Sequence, residues 1–252
     1  MDKKITFTSQ PLGLYTKDQI NQDWNNPPRI MGADSGRCNI IEDPLDKSRH
    51  VFEIKYPKGK IGQEEHGGGA QWRFKFDKSY LKCTIEYQVM FPAGFDFVKG
   101  GKLPGLCGGT SPAGGKKSDG SDGFSARIMW RERGEIFQYM YWMERAQEKN
   151  WGDDFPWKDL ESKEQKSFGF IPGQWHTLKT EITMNAPGER DGQIISWLDG
   201  KLALDQKGAF RAKGATFGID SFNFTTFFGG NMPDWAPTKD EVAYFADFVI
   251  KG

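Results

Sequence analysis

Ser125, Arg127, Tyr139 and Tyr141 lie in the stretch "FSARIMWRERGEIFQYMYW", Phe124 to Trp142, and together supply a hydroxyl, a fixed cation and two phenols. That set suits a reaction that must hold a carboxylate while moving a proton. The guanidinium presents a fork of donors matched to a carboxylate. A phenol, with an ordinary pKa of about 10, becomes a usable base where cations favour its phenolate. The same hydroxyl, protonated, can donate to a leaving oxygen.

Whether the four can meet depends on the elements that carry them. Phe124, Ala126, Ile128 and Trp130 alternate with Ser125, Arg127, Met129 and Arg131, the period of a strand with one apolar and one polar face. Glu135 to Met143 alternates as well, with Ile136, Gln138, Met140 and Trp142 on one side and Phe137, Tyr139 and Tyr141 on the other. Between the runs, Glu132-Arg133-Gly134 fits a three-residue hairpin loop whose last position is left-handed. A hairpin symmetric about Arg133 sets Arg127 opposite Tyr139 and Ser125 opposite Tyr141. Their β-carbons would be about 4.5–5.5 Å apart, and a slip of one residue would scatter them. The plainer alternative is that these residues decorate a solvent-facing sheet surface.

The chain has 252 residues, enough for one large all-β domain or two small ones, and no linker divides it, so a single domain over 1–252 is expected. Basic and acidic residues balance at 34 each, which leaves no global field to draw the protein to nucleic acid or membranes. An anionic ligand would need a local basic groove. Aromatics form 14% of the chain and include nine Trp, common where sugar rings stack on flat side chains, although most are expected in the core. "MDKKITFTSQ" lacks the apolar run of a signal peptide, so either a leader has been removed or the protein stays in the cytoplasm. Cys38, Cys83 and Cys107 show no metal-ligand spacing, and His50, His66 and His176 are too dispersed for a zinc site. We therefore expect no metal and no cofactor.

Strand-like runs recur at "CNIIE", "VFEIKY", "QWRFKF", "LKCTIEYQVMF", the hairpin, "QWHTLKTEITMN", "GQIISWLDGKLALD", "SFNFTTFF" and "AYFADFVI". Short strands between Gly, Pro, Asp and Asn clusters point to a β-sandwich, and Asp199-Gly200 is a strong hairpin signal. Helix is expected at most for a turn or two in "ERAQEKNWGDDFPWKDLESKEQKS", otherwise a long surface excursion. "CGGTSPAGGKKSDGSDG" and "FFGGNMPDWAP", which carries Trp235, read as mobile or ligand-facing loops.

"KGGKLPGL" (Lys99 to Leu106), "SARIMWR", "YMY", "FFGGNMPDWAP" and the closing "YFADFVI" occur in that order. This series resembles the alginate lyases of polysaccharide lyase family 14, known from marine molluscs and chlorella viruses, and is similar, less closely, to the glucuronan lyases of family 20. The likeness runs from about Gln71 to the C-terminus. It implies a β-jelly roll, a concanavalin-like β-sandwich whose concave sheet holds an anionic polysaccharide. It also implies cleavage of a polyuronate, in the first place mannuronate-rich alginate, by β-elimination to unsaturated oligosaccharides. Carried over, the family's lysine falls on Lys102, its serine and arginine on Ser125 and Arg127, and its tyrosines on Tyr139 and Tyr141. The hairpin geometry reaches the last four independently. Secretion is implied by the family although no signal peptide is present, and a monomer is expected.

Such a lyase removes the weakly acidic C5 proton of a uronic acid and expels the C4 oxygen, so it must neutralise the carboxylate and supply a base and an acid. Arg127 is assigned to substrate charge and Ser125 to a neutral hydrogen bond. Lys102 is either the base or the carboxylate's neutraliser, and proton transfer is shared by Tyr141 and Lys102, with Tyr139 close behind. Gln71 and Arg73 alternate with Trp72 and Phe74 and would reach the groove from a neighbouring strand. Arg145 shares the parity of Tyr141 and would contact the chain further along, and His66 is a further substrate-binding candidate beside "HGGGAQWRF". A glycoside hydrolase would need paired carboxylates, for which Glu135 and Glu144 are near enough. A lectin-like carbohydrate-binding module would need no acid and base side by side.

Overall fold

The computed structural model describes residues 1–62 and 67–252. The expectation for His66 therefore lies outside the described residues. In chain order the strands are β1 (Asp2–Ile5), β2 (Gly13–Leu14), β3 (Ile30–Met31), β4 (Cys38–Glu42), β5 (His50–Tyr56), β6 (Ala70–Tyr80), β7 (Lys82–Met90) and β8 (Gly100–Gly109). They continue with β9 (Gly123–Arg131), β10 (Ile136–Tyr141), β11 (Asp153–Pro156), β12 (Trp175–Thr183), β13 (Gly192–Leu198), β14 (Lys201–Gly208), β15 (Ile219–Phe228) and β16 (Glu241–Lys251). A front sheet runs β11-β10-β9-β8-β15-β6-β3, and a back sheet runs β14-β13-β12-β7-β16-β5-β4-β2 with β1 on β16. The result is the expected β-sandwich of jelly-roll type.

Alternation explains why the sheets stack. On β9, Phe124, Ala126, Ile128 and Trp130 enter the core, and Trp72 and Phe74 do so from β6. Trp24, Trp72, Trp130 and Trp157 are fully buried, and Trp72 stacks on Phe224 with centroids 4.2 Å apart. Each large apolar side chain buried contributes about 1.5–3 kcal/mol, and an aromatic pair adds roughly 0.5–1.5 kcal/mol. Gln138 is the polar exception on the inner face of β10. Its Nε2 donates to the Arg127 carbonyl at 2.8 Å and its Oε1 accepts from Ser196 Oγ at 3.2 Å, so neither end of this amide is stranded between the sheets. Cys38, Cys83 and Cys107 are buried and unpaired, and burial pushes the Cys38 and Cys83 thiols up to about 12.

The β9–β10 hairpin has the symmetric register, with Arg127 opposite Tyr139 and Ser125 opposite Tyr141. Its loop has the expected three residues and the expected left-handed Gly134 (φ 80°), but Arg133 (φ 61°) is left-handed as well. Asp199 and Gly200 (φ 51° and 82°) close β13 onto β14 as expected.

Two elements differ from the sequence reading. The helix, α1 (Lys17–Asp23), lies near the start of the chain, where Thr16 and Gln19 form a reciprocal capping box. The charged stretch after Glu144 instead makes turns and the short strand β11, which pairs with β10. "GGKLPGLCGG", which is not among the strand-like runs of the sequence, is β8, in the middle of the front sheet. Its glycines answer to crowding: a β-carbon on Gly101 would stand 2.0 Å from the Trp130 ring. Pro104 falls where the pairing with β9 slips between Leu103 and Leu106, a bulge, which is where a central strand tolerates proline.

Candidate functional site

Because β8 is a strand, Lys102 projects from it at a fixed height, directly opposite Met129 of β9. Arg127 stands two residues along β9, opposite Tyr139 of β10, and Asp154 of β11 stands opposite Tyr139 on its other side. These side chains share the outer face of the front sheet and line one cavity of about 910 Å³. Ala113 and Gly114 come from one loop, Asn150 and Trp151 from a second, and Gly229, Gly230, Asn231 and Trp235 from a third. Trp151 is 59% exposed, unlike the core tryptophans, so it offers a flat apolar surface at the edge of the cavity.

Within the cavity, Lys102 Nζ lies 3.7 Å from the centre of the Tyr139 ring and touches Met129 Sδ. The Arg127 guanidinium carbon is 5.7 Å from the same ring. The Tyr139 and Tyr141 hydroxyls are 3.4 Å apart. Each accepts a backbone N–H at 2.9 Å, from Gly152 and Gly115 respectively. Arg131 ion-pairs with Asp154, so the one carboxylate lining the cavity among the described residues is already engaged. Lys102 and Arg127 make no ion pair among the described residues, and Arg127 Nε has no hydrogen-bond partner there. Both side chains are buried, at 9% and 6% exposure. Burying an unpaired charge costs on the order of several kcal/mol, so the Arg127 guanidinium is held here at a cost to stability.

Burial sets the proton affinities. It holds the Lys102 amine well below its ordinary range, reinforced by Arg127 and Arg131 and only partly opposed by Asp154. It also pushes the Tyr139 phenol above its ordinary value, helped by Tyr141 and outweighing the Gly152 N–H and Arg127, which favour the phenolate. The sequence reading has the cations dominate at the tyrosine; here desolvation is the larger effect. An amine whose proton is loosened, a phenol that holds its proton and a fixed guanidinium thus face one cavity, which is an arrangement able to take a proton, give one and bind an anion.

The other expected residues lie outside this set. Ser125 is buried and donates to the Pro112 carbonyl at 2.6 Å, which anchors a loop. Gln71 and Arg73 share the outer face of the sheet but do not line the cavity. Gln71 accepts from Thr225 Oγ1 at 3.4 Å, and Arg73 is held by Ser221 Oγ, the Gly109 carbonyl and Asp220. Arg145 is not on a continuation of β10, which ends at Tyr141, but is 1% exposed behind the tyrosines. Glu135 and Glu144, the carboxylates of the hydrolase alternative, do not line the cavity. Glu144 is paired with Arg190 at 2.7 Å and accepts the Ala209 N–H. Met129, Arg131, Asn150, Trp151 and Asp154 line the cavity without having been singled out; only the parity of Met129 and Arg131 with Arg127 pointed to any of them.

The family profile described as polysaccharide lyase 14 matches residues 44–248. No curated protein matches the chain in sequence. Among solved structures, the alginate lyase Aly36B superposes with a TM-score of 0.82 at 21% identity, covering 100% of this chain and 96% of that one. The marine alginate lyase from Aplysia kurodai follows at 0.75 and 22%, covering 100% and 98%. An endo-β-1,4-glucuronan lyase from Trichoderma reesei shares the fold more remotely, at 0.55 and 10% identity over 90% and 91% of the two chains. With most of its length inside the profile and its sandwich matched end to end, the chain belongs to polysaccharide lyase family 14.

Proposed function

We propose that this lyase cleaves alginate by β-elimination at the cavity between Lys102 and Tyr139. The observation that carries the reading is the buried Arg127 guanidinium and the buried Lys102 amine, facing open space beside two phenols and with no ion pair of their own among the described residues. A polyuronate brings the missing negative charge. In support, a lysine and tyrosine double mutant of Aly36B is known in complex with an alginate tetrasaccharide.

Arg127 takes the substrate carboxylate, which lowers the cost of the charge that builds on it as the C5 proton leaves. The neutral Lys102 amine accepts that proton. The electron pair of the C5–H bond becomes the C4–C5 double bond, the C4–O bond breaks, and the Tyr139 hydroxyl protonates the departing oxygen; solvent then resets both groups. Tyr139 is preferred to Tyr141 as the acid because it is the phenol beneath Lys102 and the less enclosed of the two. Tyr141 supports it from 3.4 Å.

The test is a panel of mannuronate-rich and guluronate-rich alginate, glucuronan and a neutral glucan, followed by the ultraviolet absorbance of the new double bond. Alginate should give the strongest signal. A signal on glucuronan alone would move the substrate, and none on any acidic polymer would remove the reading. Saturable binding without product would indicate a carbohydrate-binding module.

A further inference from the structure

Arg145 has no carboxylate partner among the described residues, yet it is 1% exposed. Its Nε donates to Ser118 Oγ at 3.0 Å and its Nη2 to the Lys116 carbonyl at 3.0 Å, both on the loop between β8 and β9. Its Nη1 donates to the Lys149 and Trp151 carbonyls, the latter at 3.2 Å, on the loop between β10 and β11. The guanidinium carbon lies 5.0 Å from the centre of the Tyr141 ring. One side chain therefore ties two loops together behind the tyrosines.

Each of those loops delivers one backbone donor to one phenol: Gly115 to Tyr141 and Gly152 to Tyr139, both at 2.9 Å. The fit is close on both sides. A β-carbon on Gly115 would come 3.1 Å from the Asn150 carbonyl, and one on Gly152 would come 3.0 Å from both tyrosine rings. A planar fork of five donors can bridge four acceptors on two segments at once, whereas a lysine ammonium, with three donors on a flexible stem, cannot span them.

We propose that Arg145 is a positioning residue for the elimination, clamping the two loops whose Gly115 and Gly152 N–H groups fix the tyrosine hydroxyls against the reacting sugar. The proposal rests on the lyase reading for its kinetic half; its structural half stands apart from it. A displacement of the acid by about 1 Å is enough to cost about 100-fold in rate.

The experiment compares wild type with Arg145→Lys, which keeps the charge, reading amide hydrogen exchange at Gly115 and Gly152, thermal stability, and kcat and KM on alginate. Exchange at both glycines should quicken roughly tenfold, the protection of about one hydrogen bond. kcat should fall about 100-fold while KM stays within about threefold. Guanidinium added to Arg145→Ala should restore part of the lost kcat. Wild-type exchange in a folded Arg145→Lys would overturn the clamp, and so would faster exchange with unchanged kcat. Should Arg145→Lys fail to fold, Ser118→Ala, which removes the Nε acceptor, must show the same pattern at smaller amplitude, and wild-type behaviour there would equally overturn it. An inactive wild type whose variant still shows loosened amides would defeat the lyase reading while upholding the clamp.

Discussion

Arg127 and Arg73 are two arginines on the same outer face of the same sheet, on β9 and β6, each placed by strand alternation between core aromatics. Arg73 is answered by Asp220, Ser221 and the Gly109 carbonyl. Arg127 is more deeply buried and is answered by nothing at its Nε among the described residues, with Lys102 as a near neighbour. In sequence the two look alike. A guanidinium matched to a carboxylate and a carbonyl stabilises the protein it sits in, whereas one left short of acceptors at a cavity wall costs stability and, on the proposed reading, serves what enters.

The sharpest break in this comparison comes from removing the proton-transfer groups on the unanswered side. Lys102→Ala and Tyr139→Phe should each lower kcat by about 10²–10⁴-fold with the fold preserved by circular dichroism. Tyr141→Phe should cost less than Tyr139→Phe if Tyr139 is the acid, and the reverse order would exchange the two roles. Next, Arg127→Met should reduce kcat/KM about 10–100-fold, the worth of a charge-assisted hydrogen bond to the carboxylate. Denaturant titration of the same variant should show a gain in stability of about 1 kcal/mol or more, because an unpaired buried cation has gone. Arg73→Met should do the opposite, losing about 1 kcal/mol of stability because Asp220, Ser221 Oγ and the Gly109 carbonyl each lose a donor, with little change in turnover.

The smallest effect is one of pH. Lys102 binds its proton less readily folded than unfolded, so between its lowered folded pKa and the unfolded value of about 10.4 the unfolded chain holds more protons, and stability rises with pH. Lys102→Met, free of that penalty, should be more stable than wild type at neutral pH, and the gap in melting temperature should close as pH climbs toward that upper value. A gap that stays constant would mean that the amine is not held neutral by its surroundings.

The hairpin and its register were legible because period-two alternation and Glu132-Arg133-Gly134 leave little freedom. Lys102 was found through the family's motif order, but its strand was not, since glycine and proline argue against one unless the neighbours that crowd Gly101 are known. Asp154 was hidden in a charged stretch whose pairing with β10 is a tertiary fact. Arg145 was misplaced because parity was carried past Tyr141, where the chain leaves the sheet and the Arg145 N–H turns back to the Trp142 carbonyl at 3.2 Å. The early helix was missed although Thr16 and Gln19 spelled its cap. Which arginine is answered and which is not depends on partners brought together from distant strands, and no local pattern carries that.

The three sulfhydryls enclosed in the sandwich have a practical consequence. With no cystine holding the sheets together and with Cys38 and Cys83 held so far from their ionised form, reductants have nothing to cut and alkylating agents little to attack. The catalyst's durability should therefore be indifferent to the redox poise of its surroundings, a property that assays with and without dithiothreitol would display directly.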